Sequence, residues 1–204
     1  MVLRVLMTGV LLIQLPLLGA QTKSAHPPVV DLPRAPVSRI PSPNGKWTLI
    51  FECPDYCSAR RLSIEDSASH TRRLIGEYER SLSISWAPDS HLFFVNDAYA
   101  SNETLSYVYD PVTLKATDLA KLLVAGDPGA AQFLGVGHSY LQAKRWLNSR
   151  ELLVVLYGHF DEPPLGGFTL QYRVALDGHV HKISQRAREA RVEQDRQQNA
   201  QWKE

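Results

Sequence analysis

Ser42-Pro43-Asn44-Gly45-Lys46-Trp47 leads into an apolar run, Thr48-Leu49-Ile50-Phe51, and the same order of residues returns twice. Trp86-Ala87-Pro88-Asp89-Ser90-His91 precedes Leu92-Phe93-Phe94-Val95, and Trp146-Leu147-Asn148-Ser149-Arg150-Glu151 precedes Leu152-Leu153-Val154-Val155-Leu156. The turns recur at Asn44, Asp89 and Asn148, several tens of residues apart, which is the spacing of a repeat architecture. Asn or Asp followed by Gly or Ser suits a tight reversal, because these residues tolerate the left-handed region or bond their own backbone. Pro43 and Pro88 preset φ one position earlier. Each turn is therefore predicted to be a hairpin between a preceding strand and the apolar strand after it. Those apolar runs are continuous rather than alternating, so both of their faces are expected to be buried.

A third strand follows in each unit, and here alternation is plain. Leu62 and Ile64 alternate with Arg61, Ser63 and Glu65; Leu105, Tyr107 and Tyr109 with Ser106 and Val108; Phe168, Leu170, Tyr172 and Val174 with Thr169, Gln171 and Arg173. Short fourth strands are predicted at Thr71–Leu74, Lys115–Thr117 and Val180–Ile183, the last after the Asp177-Gly178 turn. A short helix is expected over Leu119–Val124. The expectation is all-β: three four-stranded antiparallel sheets.

The turns carry a family resemblance. Ser42-Pro-Asn-Gly-Lys-Trp47 and Ser85-Trp-Ala-Pro-Asp-Ser90, each before an apolar strand, resemble the W-S-P-D-G-K signature of TolB-type β-propeller repeats, which is shared by prolyl-oligopeptidase-like propellers. The similarity is good over residues 38–123. It weakens over 137–184, where Leu147 stands in place of the Pro and Arg150 interrupts the turn. The resemblance implies radially arranged blades, but a propeller typically needs roughly four or more of them to close. Three blades form a partial propeller. Either a homodimer completes one ring, or the units stack open, or the terminal segments cover the exposed edges.

The ends are of different character. Arg4, the apolar stretch from Val5 to Leu18, and Gly19-Ala20 follow the order of a cleavable secretory signal over residues 1–20, with an uncleaved anchor as the alternative. Residues 21–41 form a Pro-rich leader, residues 42–184 the propeller-like domain, and residues 185–204 a charged polar helix or tail. Export implies a periplasmic or secreted location and no stable membrane insertion after cleavage. In an oxidising space, Cys53 and Cys57 are expected to form a disulfide. With 44% apolar and 21% charged residues the chain is of ordinary globular composition, and its net charge of +1 argues against a nucleic-acid partner.

No catalytic residue and no cofactor is assigned. A G-x-S-x-G elbow is absent, and in Gly135-Val-Gly137-His-Ser139 the His and Ser are merely adjacent. His179 and His181 share a strand face and His159 is a candidate to approach them through the fold, but a metal needs three or four ligands and only the pair is visible, so no metal is assigned. The loops joining second to third strands each combine an acid with an aromatic: Asp55 and Tyr56; Asp97 and Tyr99; Phe160 and Asp161. Radially related units would gather these six residues into a ligand-binding rim. The expected role is a non-enzymatic binding or scaffold protein for a protein or cell-envelope component. The alternative is a small extracytoplasmic hydrolase with its site between blades.

Overall fold

The computed structural model describes residues 26–54, 60–161 and 166–187. Its strands are β1 (Val30–Leu32), β2 (Val37–Pro41), β3 (Trp47–Glu52), β4 (Arg60–Asp66), β5 (Arg72–Tyr78), β6 (Leu82–Trp86) and β7 (Phe93–Asp97). There follow β8 (Glu103–Tyr109), β9 (Ala116–Asp118), helix α1 (Leu119–Gly126), a 3₁₀ turn (Pro128–Phe133), β10 (His138–Trp146), β11 (Glu151–His159), β12 (Gly167–Ala175) and β13 (Val180–Ala187).

The predicted turns close as their chemistry requires. Ser42 N–H donates to Trp47 O and Gly45 N–H to Ser42 O, while Asn44 Oδ1 accepts from Lys46 N–H. The second turn repeats this, with Ala87 N–H to Leu92 O, Ser90 N–H to Ala87 O, and Asp89 Oδ1 accepting from His91 N–H. Gly45 and Ser90 hold equivalent positions and both have positive φ, 72° and 65°. Ser90 is held there although it is not glycine, and its Oγ accepts Asn44 N–H at 3.0 Å, tying the second turn to the first. The third turn is tighter, closing from Leu147 N–H to Glu151 O.

The meanders β2–β5, β6–β9 and β10–β13 follow one another as expected, but they are not three separate four-stranded blades. One four-stranded sheet runs β2-β3-β4-β5, and a nine-stranded sheet runs β1-β6-β7-β8-β10-β11-β12-β13 with β9 also on β8. The cause lies in β9. Asp118 ends this three-residue strand by capping α1, its Oδ1 accepting from Ala120 and Lys121 N–H. β9 therefore covers only Tyr107–Tyr109 of β8. The uncovered start of β8 is taken by β10, which pairs with it in parallel at Glu103 and Thr104. Among the described residues the sheets do not close into a ring. Part of the Pro-rich leader is built into the sheets: β1 pairs with β6, and β2 is the first strand of the four-stranded sheet. Strand β13 continues through Ala187, beyond residue 184, and the rest of the expected tail lies outside the described residues.

Two cores separate three layers. Phe93 and Val95 of β7 enter one core with Leu49, Phe51, Leu62 and Ile64; Phe94 enters the other with Trp146, Leu152 and Leu170. Thus β7 is buried on both faces, as its sequence predicts. β11 is not: Leu152, Val154 and Leu156 are buried, but Leu153, Val155 and Tyr157 are half-buried on an outward face. The outer face of the four-stranded sheet carries ion pairs instead: Arg39–Glu65 at 2.6 Å, Arg61–Glu77 at 2.8 Å and Arg72–Glu52 at 2.9 Å, around a fully buried Ile50. Trp86 Nε1 donates to Ile40 O across the first junction, and Trp146 Nε1 to Ser85 O across the second. Ile40 and Ser85 occupy the same place, next to last, in β2 and β6.

Among the described residues, no helix is long and apolar enough to cross a membrane.

Candidate functional site

The expected rim residues divide between two places. Asp55, Tyr56 and Cys57 lie outside the described residues, while Cys53 is buried at the first core. Asp97 ends β7 on the face of Phe93 and Val95, and so points toward the four-stranded sheet. It is buried, and among the described residues its Oδ1 has no hydrogen-bond partner. Burial first, then the nearby Glu79 carboxylate, push its pKa up to about 6. Tyr78, Tyr107 and Tyr109 surround it, their phenols raised chiefly by burial. Tyr99 is exposed at the loop tip.

Phe160 and Asp161 belong to the second place. Phe160 turns inward, its ring centroid 5.4 Å from Phe168 and 6.1 Å from Phe133. Its two neighbours, His159 and Asp161, are exposed. Across the ladder His159 pairs directly with His138, and their rings stack 4.1 Å apart at 18°. Asp161 Oδ1 lies 3.6 Å from His159 Nε2 and 3.9 Å from His138 Nε2. Two glycines make this approach feasible. A Cβ on Gly137, where φ is +42°, would sit 2.8 Å from Asp161 Cγ, and one on Gly158 would fall 1.8 Å from His138 O.

The loop after β7 is bound into the same surface. Asn102 Nδ2 donates to Gly137 O at 3.1 Å, Ser139 N–H to Asn102 O at 2.9 Å, and Tyr140 OH to Ser101 O at 2.9 Å. Tyr140 OH also lies 3.0 Å from His138 Nδ1. Because the phenol spends its one proton on Ser101 O, its oxygen accepts from His138 Nδ1–H. The structure thus joins Asp161 to two histidines rather than to Asp97.

The sequence placed His138 beside Ser139 without a partner and offered His159 only as a third group for the His179 and His181 pair. The Ser139 hydroxyl is used structurally, donating to Phe133 O at 2.9 Å. His179 lies in the turn before β13 and His181 on β13 opposite Arg173, away from the cluster at the far end of β11. A signal was present in the small residues Gly137 and Gly158 next to the two histidines, but only the register of β10 on β11 turns it into a site.

No family model matches the chain, nor does any curated protein sequence. Among solved structures, the chain is similar to the β-propeller domain of the Trilobed protease from Pyrococcus furiosus, with 14% identity over 73% of this chain and 43% of that one and a TM-score of 0.49. It is similar to Pyrococcus horikoshii acylaminoacyl peptidase at 14% identity over 74% and 24%, TM-score 0.44. TolB from Acinetobacter baumannii aligns at 10% identity over 76% and 53%, TM-score 0.20. The chain spans about half or less of each of these proteins. The first of the three is described as a β-propeller domain with an open velcro topology.

Proposed function

We propose that this chain is an exported, non-enzymatic binding scaffold whose rim loops contact a protein or another envelope component. One observation carries the reading. The loop after β7 and the start of β10 are cross-tied through Asn102–Gly137 and Tyr140–Ser101, so Tyr99, His159 and Asp161 project from a single held surface. Loops held before a partner arrives lose less conformational freedom on binding. The rigid layers beneath supply the frame, and the loops supply the contacts.

The test is capture from an envelope extract by the immobilised chain, compared with a Tyr99→Ala/Asp161→Ala variant. The variant should keep its melting temperature and lose most of the captured material. Equal capture by both proteins would refute the rim as the contact surface.

A second reading, a small hydrolase acting between layers, is favoured by Asp97. A carboxyl group with pKa near 6 beside tyrosines has the property of a general acid or base at neutral pH. It requires turnover of an ester, peptide or glycoside that Asp97→Asn abolishes while binding at the rim persists.

A further inference from the structure

We propose that His138, His159 and Asp161 bind a divalent first-row transition-metal ion, with zinc the best match, and leave one coordination position open. The assignment needs no partner and goes beyond the scaffold reading.

The donor set is two imidazole nitrogens and one carboxylate oxygen, one from each residue, all within 4.8 Å of one another. Zinc takes such N and O ligands at about 2.0–2.2 Å, which puts neighbouring donors of a tetrahedral site roughly 3.4 Å apart. The recorded separations of 3.6 Å and 3.9 Å from Asp161 Oδ1 need only small side-chain movements to reach that spacing. They are also too long for direct N–H···O hydrogen bonds, so the three groups surround a point rather than satisfying one another.

The surroundings fix the ligands in the required form. Tyr140 accepts the Nδ1–H of His138 and passes its own proton to Ser101 O. That leaves His138 with its lone pair on Nε2, the nitrogen facing Asp161. A ring nitrogen engaged by an outer partner while the other faces the ion is the recurring arrangement at metal-bound histidines. Phe160, half-buried between His159 and Asp161 and packed on Phe133 and Phe168, anchors the short segment that carries two of the three ligands. Gly137 keeps open the space that Asp161 occupies. Soft sulfur ligands are absent from the trio, and its imidazole content favours zinc, nickel or copper over calcium or magnesium. Three protein ligands leave a fourth position for water or for a donor from a partner.

The test uses the protein without a polyhistidine tag, stripped with a chelator and titrated calorimetrically with ZnCl₂. One equivalent should bind with a micromolar or lower Kd. His159→Ala and Asp161→Asn, at exposed positions, should each weaken binding at least ~10-fold, and Tyr140→Phe by roughly 10-fold, with circular dichroism unchanged. A His179→Ala/His181→Ala variant should bind as the parent does. Absence of saturable binding, parental affinity in His159→Ala, or loss of the site in the His179/His181 variant would each overturn the assignment and leave only an exposed ion pair beside stacked rings. Capture at the rim, measured in chelator, reports separately on the scaffold reading.

Discussion

Asp97 is the residue whose surroundings set the clearest pH signature. Its ordinary carboxyl value of 3.8 rises to about 6 in the folded chain, so the folded state holds the proton more tightly than the unfolded state does. Stability therefore falls as pH climbs from about 4 to about 6, and the full cost of the buried charge applies above that range. An amide at this position stays neutral throughout. Asp97→Asn should raise the unfolding free energy at pH 8 by about 2 kcal/mol, and the gain should vanish near pH 4. Urea titrations at both pH values measure it, and an equal difference at pH 4 and pH 8 would contradict the assignment. The acid at this position was legible in the sequence, but its direction was not. Whether Asp97 faces the rim or the neighbouring sheet depends on the phase of β7, and every residue of that strand is buried, so no alternation marks its faces. His138 was hidden for a related reason: its partner is 21 residues away and meets it only through strand register.

Strands and turns were the most legible level, because each turn is decided by its own four to six residues. Asn44, Gly45 and Asp89 act locally, and the structure honours them. The junction between the second and third meanders was not legible, since it depends on Asp118 choosing to cap a helix instead of extending a strand. Asn96 reinforces that junction from within. Its Nδ2 donates to Ala143 O and its Oδ1 accepts from Ala143 N–H, both at 2.9 Å, and it also accepts from Ser106 Oγ at 2.7 Å. It stands in for a ladder rung beyond Tyr140, where the parallel pairing of β10 with β8 ends. Asn96→Leu fills a similar volume but strands a buried N–H, a buried C=O and a hydroxyl. The cost should be about 3 kcal/mol, read as a lower urea midpoint at unchanged slope. A loss under about 0.5 kcal/mol would show that the bonds do not hold the junction.

At the scale of the molecule, the question is how three layers end without closing a ring. The four-stranded sheet ends in the Arg39, Arg61 and Arg72 ion pairs with Glu65, Glu77 and Glu52. Laying another layer on that face would strip water from these charges, a cost that their mutual attraction often fails to offset. The chain should therefore sediment and scatter light with the mass of one protomer, and a stable two-chain particle would show that the ends do meet. The other boundary is managed by β1, which is drawn from ahead of the first sheet yet pairs with β6 in the second. A polypeptide made N-terminus first presents Val30–Leu32 long before Leu82–Ile84 arrives to receive it. The first sheet can assemble while its upstream neighbour hangs loose, and the clasp snaps shut only after the next hairpin has emerged, which makes the earliest-made strand among the last to find its place.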